Sequence, residues 1–317
     1  MKLEEIQEIV SILPEDRTLF YYFKDRYALM LLEHLYDSSI NISEMKQSRL
    51  AGMLNKDVLK PLVKQAGNGK LTMEQIQALW PVSTKVFSLT LGQWGHDDWG
   101  MQTTRNECNL VLQLNFSNQH REKYLDLLRP SDEVWINDVD HPVHDISKKF
   151  QRDTLAWARL DIDLTTGEAL IEEIQCDFIR DVKYIYSRLQ QDPEAGSTYG
   201  IHASQRSMNI YYEEVLSEYI KIWDEAMLAA TIDFLVRELG IKHVYYHSWE
   251  TGLKVKRMCC SRPPKSLYTK LPRRFYFEQT EQAPEFLYKD KNFRRLAKSL
   301  SKTPNKLQWY KLPLCAA

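Results

Sequence analysis

The stretch DTLAWARLDIDLTTGEALIEEIQCDF, from Asp153 to Phe178, constrains the fold more than any other part of the chain. Apolar and polar residues alternate on both sides of Thr165-Thr166-Gly167, the period of a half-buried strand, and glycine at the turn takes the left-handed conformation that closes a hairpin. The second strand ends in an unusual phrase, because Glu172, Glu173, Gln175 and Asp177 crowd into six residues. Under strict alternation Ala169, Ile171, Glu173, Gln175 and Asp177 share one face, and Leu170, Glu172, Ile174, Cys176 and Phe178 share the other.

A row of side-chain oxygens on one strand face belongs in a cleft or in a hydrogen-bonded network. Trp157, Arg159 and Asp161 share a face of the preceding strand. Arg159 falls opposite Glu172 if the connecting loop has two residues, and opposite Glu173 if it has three. Two readings stay open. The cluster is an ion-pair network at a sheet end, or Glu173 or Glu172 is a general base whose pKa is raised by desolvation and acidic neighbours, with Gln175 or Asp177 orienting substrate or water. His247, at the end of the strand-like IKHVYYHS, lies within reach of those carboxylates as a further candidate.

The flanking segments give the rest of the architecture. Leu3 to Trp80 reads as helical, and Arg17 to Leu35, apolar nearly all round, predicts a buried central helix of a small bundle. Gly67-Asn68-Gly69 is a turn, Thr72 an N-cap, and Pro81 ends the unit. This predicts a helical N-terminal unit over 1–81 and an α+β domain over 82–317. In that domain KVFSLTLGQW and NLVLQLNF read as strands. The loop between them gathers Trp99, Gln102, Thr103, Thr104 and Arg105, as a functional loop or a plain connection. A long helix carries Val215, Tyr219, Trp223, Met227, Ala230 and Phe234 as a core stripe and stops at Gly240. WETGLKVKRM predicts a short helix or turn, Lys291 to Leu300 a basic helix, and KLQWYKL a last edge strand.

Composition sets the class. With 44% hydrophobic and 27% charged residues the chain is globular, and no run approaches eighteen apolar residues, so a soluble, cytoplasmic protein with no membrane partner is expected. The five cysteines give no disulfide or zinc spacing and read as reduced thiols, with Cys259-Cys260 beside basic residues as a candidate for a lowered thiol pKa. Asp138, Asp140, His141, His144 and Asp145 have metal-like chemistry at a spacing that matches no known site, so no metal is expected. The net charge of -1 conceals a polarity: from Lys242 onward 17 Lys and Arg face 5 Asp and Glu, or +12. That basic third either meets nucleic acid or a phosphorylated cofactor, or docks on the acidic remainder of its own chain.

From Thr154 on, the order of hairpin, helix, strand, helix and strand resembles the core of the GNAT acetyltransferase superfamily. The matching phrases are IEEIQCD for the central strand, WDEAMLAATIDFLVRELG for the long helix, IKHVYYHS for the next strand and SLYTKLPRRFYF for the tail. The resemblance covers roughly the last half of the chain. It implies a mixed, twisted sheet flanked by helices, N-acyl or related group transfer to a small-molecule or protein amine, Glu173 as base and Tyr268 as proton donor. It further implies acetyl-CoA or another acyl-CoA as donor. The family's glycine-rich pyrophosphate loop is replaced here by Gln175-Cys176-Asp177-Phe178-Ile179-Arg180, which leaves Arg180, Lys254, Lys256 and Arg257 to hold an anionic donor. IEEIQ-C-DF is also similar to the E-E-I-Q-S-D-W segment of large polyvalent proteins of phages and mobile elements. That similarity implies a prokaryotic, phage-linked origin and an alternative role as a non-catalytic binder of nucleic acid or protein.

Overall fold

The computed structural model describes residues 1–13, 18–95, 102–131, 153–192, 200–258, 262–300 and 306–314, together with the backbone of 144–145. The strands are β1 (Thr18–Tyr22), β2 (Ser39–Asn41), β3 (Lys70–Thr72), β4 (Lys85–Trp94), β5 (Asn109–Asn115), β6 (His144–Asp145), β7 (Thr154–Asp163), β8 (Glu168–Gln175), β9 (His243–His247), β10 (Glu278–Thr280) and β11 (Trp309–Leu312). The main sheet runs β1-β4-β5-β7-β8-β9-β11-β10, with β6 on β4, while β2 and β3 form a separate ribbon. All neighbours are antiparallel except β8 and β9. The fold is therefore α+β with a mixed sheet, as the element order predicts.

A parallel pair needs a long crossover. Here it is helical: α7 (Asp177–Gln191), α8 (Gln205–Ile210), α9 (Ser217–Ile220) and α10 (Trp223–Asp233), with π-helical turns at Tyr211–Leu216 and Phe234–Glu238. Gly240, at φ 64°, ends the run. Among the described residues six α-helices precede these in the chain, and labels below follow the crossover: α11 (Trp249–Val255), α12 (Lys270–Arg274) and α13 (Lys291–Leu300).

One face of the sheet is apolar and covered by helices. Phe87, Leu112, Ala158, Ile171, Tyr246 and Tyr310 join one core with residues of the crossover and with Ile6, Leu29 and Leu32 from the N-terminal part. The other face carries a smaller apolar cluster of Leu170, Tyr245, Phe286, Phe293 and Trp309, and beside it Trp94, Val111 and Trp157.

Two expectations are corrected. Arg17 to Leu35 is no single helix, because Thr18–Tyr22 is a strand paired with β4 and only Arg26–Leu35 is helical, after a turn at Asp25 with φ 63°. Alternation decides it: Phe20 and Tyr22 point inward while Leu19 and Tyr21 are exposed, and consecutive aromatics suit a pleated surface. Residues 1–81 thus supply an edge strand to the main sheet. KLQWYKL is no edge strand either, since β11 lies between β9 and β10 with Trp309 and Tyr310 buried. Thr72 caps its helix as expected, accepting from Gln75 N at 3.3 Å while Gln75 Oε1 accepts from Thr72 N.

Among the described residues no helix is long and apolar enough to cross a membrane. Cys108 and Cys176 are free thiols. Trp99, Cys259, Cys260, Cys315, Asp138, Asp140, His141 and the side chains of His144 and Asp145 lie outside the described residues.

Candidate functional site: a buried charge cluster where two parallel strands part

The hairpin register creates the site. Asp163 faces Glu168, Asp161 faces Leu170 and Leu160 faces Ile171, and this register would carry Arg159 to Glu172. Instead Arg159 faces Glu173, because Glu172 is the extra residue of a β-bulge. The bulge corrects strict alternation. Ala169, Ile171 and Ile174 all enter the helix-covered core, and Glu172 joins Glu173 on the opposite, polar face. The apolar spacing of two and then three residues is the sequence signal of this bulge.

The bulge coincides with the end of the parallel ladder. β8 and β9 pair from Glu168 and His243 to Ile171 and Tyr246, and no further. Into the gap comes Lys256 from the end of α11. Its ammonium donates to the Glu172 carbonyl oxygen at 2.9 Å, satisfying a backbone acceptor that a continuing ladder would have used, and to Glu173 Oε2 at 3.4 Å. Arg159 Nη2 also donates to Glu173 Oε2 and to the Gln102 carbonyl at 3.2 Å. The Arg159 guanidinium lies 4.6 Å from the Trp94 ring centre, and Trp94 stacks on Trp157.

Glu172 has different company. Its Oε1 accepts from Thr104 N and its Oε2 from Thr104 Oγ1, both at 2.9 Å. His247 Nε2 stands 3.0 Å from Glu172 Oε2 and 2.9 Å from Thr104 Oγ1. With the threonine hydroxyl donating to the carboxylate, the proton on Nε2 points at Glu172, which leaves Nδ1 deprotonated when the ring is neutral. Among the described residues Nδ1 has no hydrogen-bond partner, and neither does the Tyr268 hydroxyl. Tyr268 packs on Tyr246 at 5.6 Å, and Gly252 of α11 brings it close to His247: a methyl group there would sit 3.5 Å from His247 Cβ and 3.8 Å from Tyr268 Cε1.

Arg159, Glu172 and His247 have no exposed surface, and Glu173, Lys256 and Tyr268 keep 5% or less. Burial therefore dominates their electrostatics. It works against ionisation of Glu172, but His247, Lys256 and Arg159 outweigh it and hold the carboxyl near 2, at about 2. Glu173 is likewise lowered by Lys256 and Arg159 against its own desolvation. Burial lowers His247 despite Glu172, and lowers Lys256 despite Glu173. Tyr268 is pushed well up by burial and by Glu173.

The remaining candidates lie beside this cluster. Asp177 opens α7 with its carboxylate buried, bonded by Trp157 Nε1 at 3.0 Å, Arg180 Nη1 at 2.7 Å and the Gln175 amide. The anion at this helix N-terminus is thus the chain's own side chain. Gln175 is half-buried and Arg180 exposed, the latter also held by Asp181. The four residues read as an anion grip do not converge. Lys256 is inside the cluster, Lys254 is half-buried, and Arg257 and Arg180 are exposed on separate elements. The expectation of a Glu173 pKa raised by acidic neighbours is also corrected, since two cations contact it.

Sequence reasoning missed the partners from the loop before β5. Thr104 and Gln102 were legible as unusual loop residues, but nothing in their spacing tied them to Glu172 and Arg159, 68 and 57 residues away in the chain. Next to them Arg105 pairs with Asp161, 2.7 Å from Nε to Oδ2, and lies over the Phe286 ring. Among the described residues no group of His, Cys, Asp and Glu is arranged to hold a metal ion. Neither a protein-family model, nor a curated protein, nor a solved structure matches the chain.

Proposed function

We propose that the chain is an enzyme of acyl or related group transfer to an amine, with its proton chemistry at the cluster of Glu172, His247 and Tyr268. The observation that carries this reading is the convergence of a carboxylate–histidine pair and a tyrosine on the point where two parallel strands separate. His247 Nδ1 and the Tyr268 hydroxyl lack partners there among the described residues. Buried polar atoms are mostly satisfied, and two open ones beside a carboxylate–histidine pair leave positions that a substrate atom could complete.

In this reading His247, oriented by Glu172, takes the proton of an ammonium substrate on Nδ1. The freed amine attacks the donor carbonyl, and Tyr268 protonates the departing group. Glu173 serves differently from the role the GNAT resemblance implies. Held by Arg159 and Lys256, it is a fixed anion that sets their positions. The segment Gln102 to Arg105 forms the outer wall, attached by polar bonds to Glu172, Arg159 and Asp161, and its opening is the route by which substrate reaches the cluster. The resemblance supports a CoA thioester as donor, whereas the occupied start of α7 and the Lys256 ammonium between the strands favour a smaller donor.

The test is thiol release from acetyl-CoA and phosphate release from acetyl phosphate in the presence of a panel of primary amines, alongside calorimetric titration of both donors. Saturable turnover with either donor, lost in His247→Asn while the variant still folds, is the expected result. Absence of binding and turnover with both donors at millimolar concentration would sink the proposal.

A further inference from the structure

The basic C-terminal third contains two groups of cations with different surroundings. One group docks internally: Lys256 on Glu173, Arg274 on Asp224 and Glu225, and Lys289 on Asp163. The other group is the outer stripe of α13. In KNFRRLAKSL the residues Lys291, Arg294, Arg295 and Lys298 follow the i, i+3, i+4, i+7 spacing that places them on one side of a helix. Phe293, Leu296, Ala297 and Leu300 repeat the same spacing on the opposite side. Phe293 is buried against Tyr245, Phe286 and Trp309, with Leu296 and Ala297 packed on that cluster, so the orientation of the helix is fixed. All four basic residues are exposed. No carboxylate of the described residues forms an ion pair with Lys291, Arg294 or Arg295, and the helix contains no acidic residue.

We infer that this face of α13 binds the phosphate backbone of single-stranded nucleic acid. At 1.5 Å per residue the stripe is about 10 Å long, enough to meet a few consecutive phosphates of one strand. Just before the helix Tyr288 keeps 47% of its surface while packing edge-on with Phe293 of the apolar side. Cations that follow a backbone together with an exposed aromatic ring are the elements of single-strand recognition. A membrane surface fits less well. An amphipathic helix enters a bilayer with its apolar side, and here that side is already packed on Phe286 and Trp309.

The experiment is fluorescence anisotropy of a labelled thirty-nucleotide oligonucleotide, single-stranded and duplex, at several salt concentrations. A parallel arm uses vesicles containing phosphatidylserine. Single strands should bind more tightly than duplex. K291Q/R294Q/R295Q should weaken binding about tenfold or more at low salt, and should reduce the slope of log affinity against log salt by about 2, since each phosphate contact on a single strand contributes about 0.7. Tyr288→Ala should lose about fivefold or more on single strands. The control K46Q/K64Q/K70Q removes equal charge from another surface and should change little. Four results would each overturn the inference: no binding at low salt, an unchanged slope in the α13 variant, an equal loss in the control, or binding to vesicles alone.

Discussion

Glu172 and Glu173 are neighbours of identical chemistry, and the fold gives them opposite tasks. Glu173 meets two cations, Arg159 and Lys256, and its charge is fixed. Glu172 meets a hydroxyl, a backbone amide and an imidazole, of which only the imidazole is titratable. A bulge places both on one face, so what separates them is company and not exposure. A buried carboxylate between two cations keeps a fixed set of charges around it, whereas one beside a histidine has a partner whose charge can change with protonation.

The largest effect should come from the Glu173 side. Arg159→Met takes from the buried Glu173 carboxylate one of its two cations and leaves Lys256 as the other, and loss of one member of a buried pair costs about 3 to 5 kcal/mol. Urea unfolding of R159M, E173Q and the double variant checks it. The double variant should lose clearly less than the sum of the singles, because the second change removes the charge whose partner the first took away.

The histidine side should show itself in acid. His247 has a lowered pKa in the folded chain, so below about pH 6.5 the unfolded chain takes its proton first and stability falls. Glu172, at about 2 when folded, contributes stability that is complete above about pH 4.5 and is lost as the pH falls through about 2. Subtracting the stability curve of Glu172→Gln from that of the wild type should leave a difference of about 2 to 3 kcal/mol that shrinks from pH 5 downward. A difference that does not change with pH would place the lowered carboxyl elsewhere.

Thr104→Val keeps the shape of the side chain and removes the hydroxyl bonded to the Glu172 carboxylate. A hydrogen bond to a charged group is worth about 1.5 to 3 kcal/mol, so thermal unfolding should register a loss near the lower end, with the backbone amide of Thr104 still in place. Arg159 should be insensitive to this change, which sharpens the division between the two carboxylates. The smallest effect is expected at Gly252. A methyl group there makes only ordinary contacts with His247 and Tyr268, so Gly252→Ala should raise stability by about 0.4 to 1 kcal/mol through the unfolded chain. A loss in calorimetric melting temperature would show that α11 needs the bare backbone to approach the cluster.

Much of the architecture was readable in advance because local patterns survive into the fold. The hairpin at Gly167, the capped helix at Thr72, the strand before His247 and the stop at Gly240 rest on turn chemistry and periodicity that no distant contact overrides. β1 was not readable as a strand, because four aromatics in a row satisfy helical and extended patterns alike until a partner strand is present. The same limit hid the interior position of β11, whose burial depends on β10 and α13 closing over it.

The site divides in the same way. The sequence by itself determined that acidic residues would stand at the end of a sheet strand beside an arginine, because a hairpin of this pattern has few registers. Only the tertiary structure decided that Glu172 bulges out, that Lys256 returns eighty residues later to fill the gap in the ladder, and that Thr104 and His247 meet over one carboxylate. Alternation along a strand is a local property that the chain carries everywhere. A bulge, a gap between parallel strands and a buried ion pair are settlements between segments distant in sequence, and they exist only once those segments pack.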